Sequence, residues 1–174
     1  LRLVSAEKPL RTVENLEEKT SAELVDLLAD SDAWWRETAQ RLLVERGDDT
    51  VVPSLAKMAR EGATGQAKIH ALYTLAGLGR LSAEDTLAGL SDDDYAVRIH
   101  AMQAAEPFLD ASEAVRDKVI ALASDDDPRV RLQAAMSLGE TTDPEVLAVF
   151  VKLASKHGAE QWMPNAILSS ASPY

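Results

Sequence analysis

Three histidines are the side chains best suited to acid–base or metal chemistry in this chain. His70 and His100 each precede an alanine in segments that align with one another, and His157 lies elsewhere, in a Lys-His-Gly stretch. Residues at the same position of successive packed helices are expected about 10 Å apart. A zinc ion holds each of its ligands at about 2 Å. The spacing of His70 and His100 therefore predicts neither a shared metal site nor a catalytic pair.

Two runs of aspartate, Asp92–Asp94 and Asp125–Asp127, offer oxygen ligands of the kind that calcium prefers. Neither run is followed by the glycine and the distal glutamate that an EF-hand loop requires. The sequence also lacks a G-x-S-x-G nucleophile motif and a phosphate-binding glycine loop. It contains no cysteine, which excludes disulfides and thiolate ligands. We therefore expect no catalytic residue, no metal and no cofactor.

The charge balance bears on the class of partner. The 29 acidic side chains outnumber the 18 basic ones, for a net charge of −11. Such a field repels nucleic-acid phosphates and anionic lipids, so we expect neither nucleic acid nor a membrane as partner. A local basic cluster stays compatible with this total, because salt screens charges beyond about 8 Å.

The elements that position these side chains recur along the chain. Five ten-residue segments align without gaps: WWRETAQRLL, QAKIHALYTL, AVRIHAMQAA, RVRLQAAMSL and QWMPNAILSS. Their common alanines are Ala39, Ala71, Ala101, Ala134 and Ala166, at steps of 32, 30, 33 and 32 residues. A second helical pattern with one apolar stripe precedes each segment. The repeats predict five hairpins, each with a first helix A and a second helix B.

Two polar series accompany the alanines. The A–B turns contain Asp32, Asp94 and Asp127, each placed where a carboxylate caps the amides that begin helix B. Cations stand three residues before four of the alanines: Arg36, Lys68, Arg98 and Arg131. Stacked repeats bring the two series together, so we expect a ladder of ion pairs between neighbours. The alanines themselves are expected at helix crossings, since axes about 8 to 10 Å apart leave room only for a small side chain.

The turn and helix B together form a recognisable motif. Asp-x-x-Val-Arg followed by alanine and leucine is clearest in DPRVRLQAAMSLG and next clearest in DYAVRIHAMQAAE. This motif resembles the HEAT repeat, and the resemblance extends over about residues 20–170. It implies an all-α fold, an α-α superhelix or HEAT-repeat solenoid of about five helical hairpins. We expect 1–19 to be a linker or the tail of a preceding domain and 20–174 to form the solenoid.

A narrower resemblance is carried by ADSDAWWRETAQRLLVERGD, ALYTLAGLG and WMPNAILSS. These stretches look like the HEAT segment of planctomycete-type exported proteins, in which a dehydrogenase-like propeller precedes the solenoid and a cytochrome c domain with a CxxCH haem site follows it. This chain has no cysteine to attach a haem. The resemblance therefore implies a spacer or docking element of a larger, periplasmic or exported parent protein, without the oxidoreductase chemistry.

In HEAT solenoids the B helices line the concave surface, so the resemblance places a mostly polar ridge there. The ridge comprises the position before each alanine, together with residues four before it and three after it on the same helix face. The predicted partner-binding residues are Trp34, Thr38, Arg41, Gln66, His70, Tyr73, His100, Gln103, Arg129, Gln133, Gln161 and Asn165. The simpler interpretation is an ordinary solvated helix face.

Tryptophans mark the first and last repeats, where a hairpin has only one neighbour. Trp35 and Trp162 occupy the same repeat position, and we expect both to seal the ends of the core. Trp34 lies on the other face and is the better candidate for docking an adjoining domain.

These patterns predict a non-enzymatic scaffold or spacer that binds a protein partner or the adjoining domains of its parent chain, and that is monomeric as an isolated unit. The alternative, from a different class, is an enzyme on the same fold that resembles the alkylpurine DNA glycosylases, which use a basic groove. Its positive charge would come from Arg41, Arg98, Arg129 and Arg131. The net charge of −11 opposes this alternative.

Overall fold

The computed structural model describes residues 14–171, which are all-helical and contain no strand. Within this described range, ten α-helices form five consecutive hairpins, so the predicted fold class is confirmed. The A helices are α1 (Ser21–Leu27), α3 (Val52–Glu61), α5 (Ala83–Leu90), α7 (Glu113–Leu122) and α9 (Glu145–His157). The B helices are α2 (Ala33–Arg46), α4 (Gly65–Gly77), α6 (Tyr95–Ala105), α8 (Pro128–Ser137) and α10 (Met163–Ser170). Short 3-10 turns span Leu16–Glu18, Asp49–Val51, Glu106–Phe108 and Leu138–Glu140.

The local signals at the helix ends act as predicted. Asp32, Asp94 and Asp127 each accept a hydrogen bond from the backbone N–H two residues ahead, at 2.9 to 3.0 Å. The side-chain oxygen satisfies an amide that has no partner within the helix. Gly47 and Gly79 adopt left-handed φ angles of 62° and 66° just beyond α2 and α4, where glycine ends a helix without steric cost.

The recurring alanines lie at the helix crossings. Ala39, Ala71, Ala101 and Ala134 are completely buried, and Ala166 is buried at the last crossing. The tightest approach involves Gly89 of α5, where an added Cβ would lie 2.7 Å from the Cβ of Ala101 in α6. Since real Cβ atoms do not approach so closely, α5 and α6 can touch here only through a glycine and an alanine.

The hairpins stack so that B helices pack side by side, α2 on α4, α4 on α6, α6 on α8 and α8 on α10. The A helices α3, α5 and α7 form a second row. One apolar core runs between the rows, from Leu24 in α1 through Leu72 and Met102 to Phe150 in α9. No helix within residues 14–171 has both the length and the apolar character needed to cross a membrane.

The two tryptophans expected to seal the core behave differently. Trp35 is buried at 4% exposure, as predicted, but Trp162 is 62% exposed, so that prediction was wrong. Helix α10 begins at Met163, and Trp162 precedes it with a left-handed φ of 70°. Val130, at the equivalent position of the fourth repeat, lies inside α8 and points into the core. The late start of α10 turns Trp162 outward and buries Met163 instead.

Residues 14–19 pack against the first hairpin. Leu16 is buried, and the guanidinium of Arg46 in α2 donates hydrogen bonds to the carbonyl oxygens of Leu16, Glu17 and Lys19. Residues 1–13 and 172–174, which belong to the predicted linker and to the end of the predicted solenoid, lie outside the described range. The domain boundary at residue 19 stays a prediction.

Candidate functional site on the B-helix face

The B-helix face is the surface formed by α2, α4, α6, α8 and α10, and all twelve predicted ridge residues lie on or next to these helices. Six are exposed, namely Trp34, Arg41, Gln66, Arg129, Gln161 and Asn165. Five are half-buried, namely Thr38, His70, Tyr73, His100 and Gln103. Gln133 is buried, at 8% exposure. The central part of the ridge is thus an ordered array rather than a uniformly solvated surface.

Hydrogen bonds join the ridge residues of successive B helices. The Tyr73 hydroxyl in α4 donates to Oε1 of Gln103 in α6 at 2.8 Å, and it lies 3.0 Å from Nδ1 of His100. Gln103 in turn donates from Nε2 to Oε1 of Gln133 in α8 at 3.0 Å. Three helices are therefore linked by side chains that the sequence had placed on one ridge.

The chain of hydrogen bonds ends on a carboxylate. Gln133 donates from Nε2 to Oγ of Ser137 at 3.0 Å, and Ser137 donates to Oε1 of Glu106 at 2.8 Å. An ionised carboxylate can only accept hydrogen bonds, so Ser137 must donate to Glu106. Each earlier group in the chain then donates to the next one, beginning with the Tyr73 hydroxyl. With that hydroxyl already donating to Gln103, Nδ1 of His100 must carry the proton that bonds to the Tyr73 oxygen.

His70 has a separate partner. Its Nδ1 lies 2.6 Å from Oε1 of Gln40 in α2, which accepts the imidazole proton. Burial lowers the pKa of His70, and the nearby Arg36 guanidinium adds to this effect. His70 therefore serves as a neutral link between α2 and α4 at neutral pH.

Burial also acts on two groups of the central chain. It raises the pKa of Tyr73, with a further contribution from the negative charge of Glu106. It raises the pKa of Glu106 as well; Glu140 adds to this by repulsion, while the hydrogen bond from Ser137 opposes it. Glu106 is thus a desolvated carboxylate at the end of an ordered polar chain.

Sequence reasoning missed Gln40, Ser137 and Glu106. A signal for them exists, because their contacts join residues about one repeat apart: 30 residues for Gln40 and His70, and 31 for Glu106 and Ser137. The contacts run diagonally between helices instead of along one repeat position. A search for polar pairs separated by one repeat length, without requiring the same column, would have found them.

A ladder of ion pairs forms at the turn edge, which comprises the A–B turns and the cations facing them. Its acceptors are not the capping aspartates Asp94 and Asp127, so the predicted partners of the cations were wrong. Lys68 pairs with Asp92 at 2.6 Å, and Arg98 pairs with Asp125 at 3.0 Å. Arg131 pairs with Glu160. The acceptors Asp92 and Asp125 stand two residues before the capping aspartates. The first acidic position of a turn therefore pairs with a cation, and the second caps the next helix.

Arg36 does not extend the ladder. The turn of the next repeat contains Gly62, Ala63 and Thr64, which supply no carboxylate. The Arg36 guanidinium instead donates to the carbonyl oxygen of Asp30 in its own turn at 2.7 Å.

The arginines that could build a basic groove are paired with carboxylates. Arg41 bonds to Glu45, while Arg98 and Arg131 belong to the ladder. Arg129 forms two hydrogen bonds to Asp127 and lies 3.5 Å above the ring of Tyr95. The Arg129 guanidinium lowers the pKa of Asp127 to about 2. These four side chains therefore provide little uncompensated positive charge for a phosphate backbone.

Metal-binding geometry does not occur in the described part of the chain. Within residues 14–171, no three histidine or carboxylate side chains are grouped so that they could hold a metal ion.

Comparisons with known proteins give one family match and one similar solved structure. Residues 83–161, which include α5 to α9, match the family model of HEAT repeats. The crystal structure of an engineered protein from a structural genomics consortium aligns with 86% of this chain and 78% of that chain, at 20% sequence identity and a TM-score of 0.49. No curated protein matches the chain. The described residues form an all-helical α-α solenoid, of which residues 83–161 match HEAT repeats. The narrower likeness to exported proteins stays a prediction.

Proposed function

We propose that this protein is a non-enzymatic scaffold whose B-helix face binds a protein partner or an adjoining domain of a larger chain. One observation carries the proposal: large apolar side chains stand exposed beside the ordered polar array. Trp34 is 51% exposed, Met136 is 50% exposed and Leu168 is 75% exposed. Protein interfaces combine such apolar anchors with polar groups that are already oriented.

The polar array lowers the cost of binding. Side chains that become ordered only on association lose conformational entropy, about 0.5–1.5 kcal/mol for each long side chain. Tyr73, Gln103 and Gln133 are already held by their mutual hydrogen bonds. A partner that contacts them therefore gains interactions without ordering them first.

Trp34 provides a rigid anchor at the N-terminal end of the face. Its ring meets that of the buried Trp35 edge to face, with centroids 5.1 Å apart. It also borders a pocket of about 390 Å³ together with Thr38 and Arg41. A partly exposed aromatic ring beside a pocket is a frequent binding hot spot.

The continuous core supports a role as a spacer. Since each hairpin packs on its neighbours, α1 to α10 form one stack that would hold an adjoining domain in a defined place. A position between two domains of an exported parent protein, with no chemistry of its own, is the finer form of the proposal.

The absence of cysteine makes a direct test practical. A Leu168→Cys variant carries a photo-activated cross-linker on the B-helix face, and an Ala121→Cys variant carries it on the exposed side of α7. In extracts of the source cells, or with the parent protein, we expect a defined adduct from position 168 and none from position 121. Equal labelling from both positions would contradict the proposal.

Affinity measurements then locate the contact. With the purified partner, Trp34→Ala and Met136→Ala should each weaken binding at least about tenfold, the effect of a hot-spot residue. Lys57→Ala, on the exposed surface of α3, serves as the matched control and should leave the affinity unchanged.

A further inference from the structure

A second pocket lies near the C-terminal end of the B-helix face, among α6, α8 and α10. Its volume is about 500 Å³. Glu106 and Glu140, from the 3-10 turns that follow α6 and α8, line it together with Met136, Gln133 and Ser169. The pocket thus combines two carboxylates, an amide, a hydroxyl and one apolar wall.

The charge in this pocket is uncompensated. Five other buried or partly buried carboxylates each form an ion pair with an arginine or lysine distant in sequence: Asp85, Asp92, Asp125, Asp143 and Glu160. Within residues 14–171, neither Glu106 nor Glu140 has a cation within 4 Å. Compared with these five paired acids, a half-buried carboxylate without a cation is costly unless a ligand completes the pair.

The polar chain leaves one side of Glu106 open. Ser137 occupies Oε1 of Glu106, and in the described part of the chain no donor reaches Oε2. Gln133 uses one amide N–H to reach Ser137, and its second amide N–H has no acceptor among the described residues. The pocket therefore offers an acceptor for a cation and, from a side chain that is only 8% exposed, a donor for a carbonyl oxygen.

We propose that this pocket binds a lysine or arginine residue of the protein partner, with its cationic group on Glu106 and Glu140 and its main-chain carbonyl on Gln133. The inference rests on the proposed function, since it names the chemistry of the partner. The Met136 side chain packs against the methylene stem of the bound residue, which buries its aliphatic part while the charge reaches the carboxylates. The net charge of −11 attracts such a partner from a distance.

A pair of small probes isolates the cation. N-acetyl-arginine amide carries both the cation and the carbonyl, whereas N-acetyl-citrulline amide has nearly the same shape without the charge. In a titration followed by NMR of the 15N-labelled protein, we expect saturable shifts of the Ser137 and Glu140 amides with the arginine probe only. Equal responses to the two probes would overturn the inference.

Variants locate the response. Glu106→Gln keeps the shape of the side chain and its hydrogen bond with Ser137, and it should abolish the saturable shifts; Glu140→Gln should weaken probe binding severalfold. Glu113→Gln removes an exposed carboxylate of α7 and should bind the arginine probe like the parent chain. An arginine response that survives Glu106→Gln with the spectrum of a folded protein would contradict this site.

The cross-linked partner separates the two proposals. If the partner binds the B-helix face, Glu106→Gln should reduce its affinity at least about tenfold, as expected when one member of a desolvated charge pair is removed. Unchanged affinity would overturn the cation pocket and leave the scaffold function intact. If no partner is captured at position 168 but the arginine probe binds, the cation-binding chemistry of the pocket is supported, whereas the scaffold function and the assignment of the cation to a partner residue are contradicted.

Discussion

Partly buried charges occur in two regions of this protein, and the two regions treat them differently. At the turn edge, Asp92 and Asp125 each face a cation from the preceding repeat. On the B-helix face, Glu106 is also partly buried but receives only the hydroxyl of Ser137. The first arrangement stabilises the stack of repeats, whereas the second leaves a carboxylate whose charge nothing in the described chain offsets.

This difference distinguishes the carboxylates that stabilise the fold from the carboxylate proposed to bind a ligand. Removing a carboxylate from water is unfavourable, and a matched cation or several donors recover that loss. Glu106 recovers only part of it, which is why its pKa is raised. Groups kept at such a cost are frequent at binding sites, because the missing partner arrives with the ligand.

Both regions depend on the close crossing of helices, so overpacking it should have the largest effect. Ala101→Leu adds three carbon atoms to a side chain that already faces Gly89 of α5 at close range. We expect the free energy of unfolding to fall by about 3 kcal/mol in urea denaturation. Ala121→Leu, an exposed alanine of α7, should change it by less than about 0.5 kcal/mol. Similar losses at the two positions would contradict the tight crossing.

Loss of one ladder carboxylate should show that the turn edge is structural. Asp125→Asn keeps an acceptor for the amide of Asp127 but leaves the Arg98 guanidinium without its counter-charge. We expect a loss of about 2 kcal/mol in the free energy of unfolding, since the pair is mostly shielded from water. Asp126→Asn changes an exposed neighbour in the same turn and provides the control. Equal stability of the two variants would remove the distinction between the regions.

The corresponding change on the B-helix face should act in the opposite direction. Glu106→Gln removes a desolvated charge, so we expect a gain of about 0.5 kcal/mol at pH 7, a small value because water still reaches the carboxylate. The folded-state pKa of Glu106 lies above its unfolded value. Its charge therefore destabilises the protein above the folded pKa, and this penalty disappears as the pH falls through both values. Unfolding curves at pH 7 and pH 4 should show the gain only at pH 7.

The smallest effect is expected at Asp127, a turn-edge carboxylate in contact with a nearby arginine. Asparagine also caps helices well, so Asp127→Asn removes mainly the charge interaction with Arg129. We expect a loss of about 0.3 kcal/mol at neutral pH, typical of an exposed pair. The pKa of Asp127 is lowered from 3.8 to about 2. Its contribution is therefore present above pH 3.8 and is lost as the pH falls to 2, where variant and parent should converge.

Features that repeat were predictable, because each depends on its own hairpin or on the next one. The buried alanines, the capping aspartates and the cation ladder all follow from residue types that recur at a nearly constant period. The same repeat positions bring Tyr73, His100, Gln103 and Gln133 together as one array, whereas the role of the ridge in partner binding stays a prediction.

Features that depend on the rotation of one helix against the next were not predictable in the same way. The diagonal contact from Glu106 to Ser137 requires knowledge of how α6 and α8 are offset along their axes. The alignment likewise placed Trp162 with buried residues, but the late start of α10 turned it outward. The alignment of the repeats shows which positions are equivalent, but it does not show how far one helix is shifted relative to the next.

The sequence by itself determined the period, the five hairpins, and the positions of the small, helix-capping and ion-pairing residues. It did so because local propensity and the contacts between successive repeats depend on residues that recur at a nearly fixed spacing. The tertiary structure decided which carboxylates meet a cation and which do not. That outcome depends on distances of a few ångströms between side chains of different helices, and these are set by the packing of the whole stack.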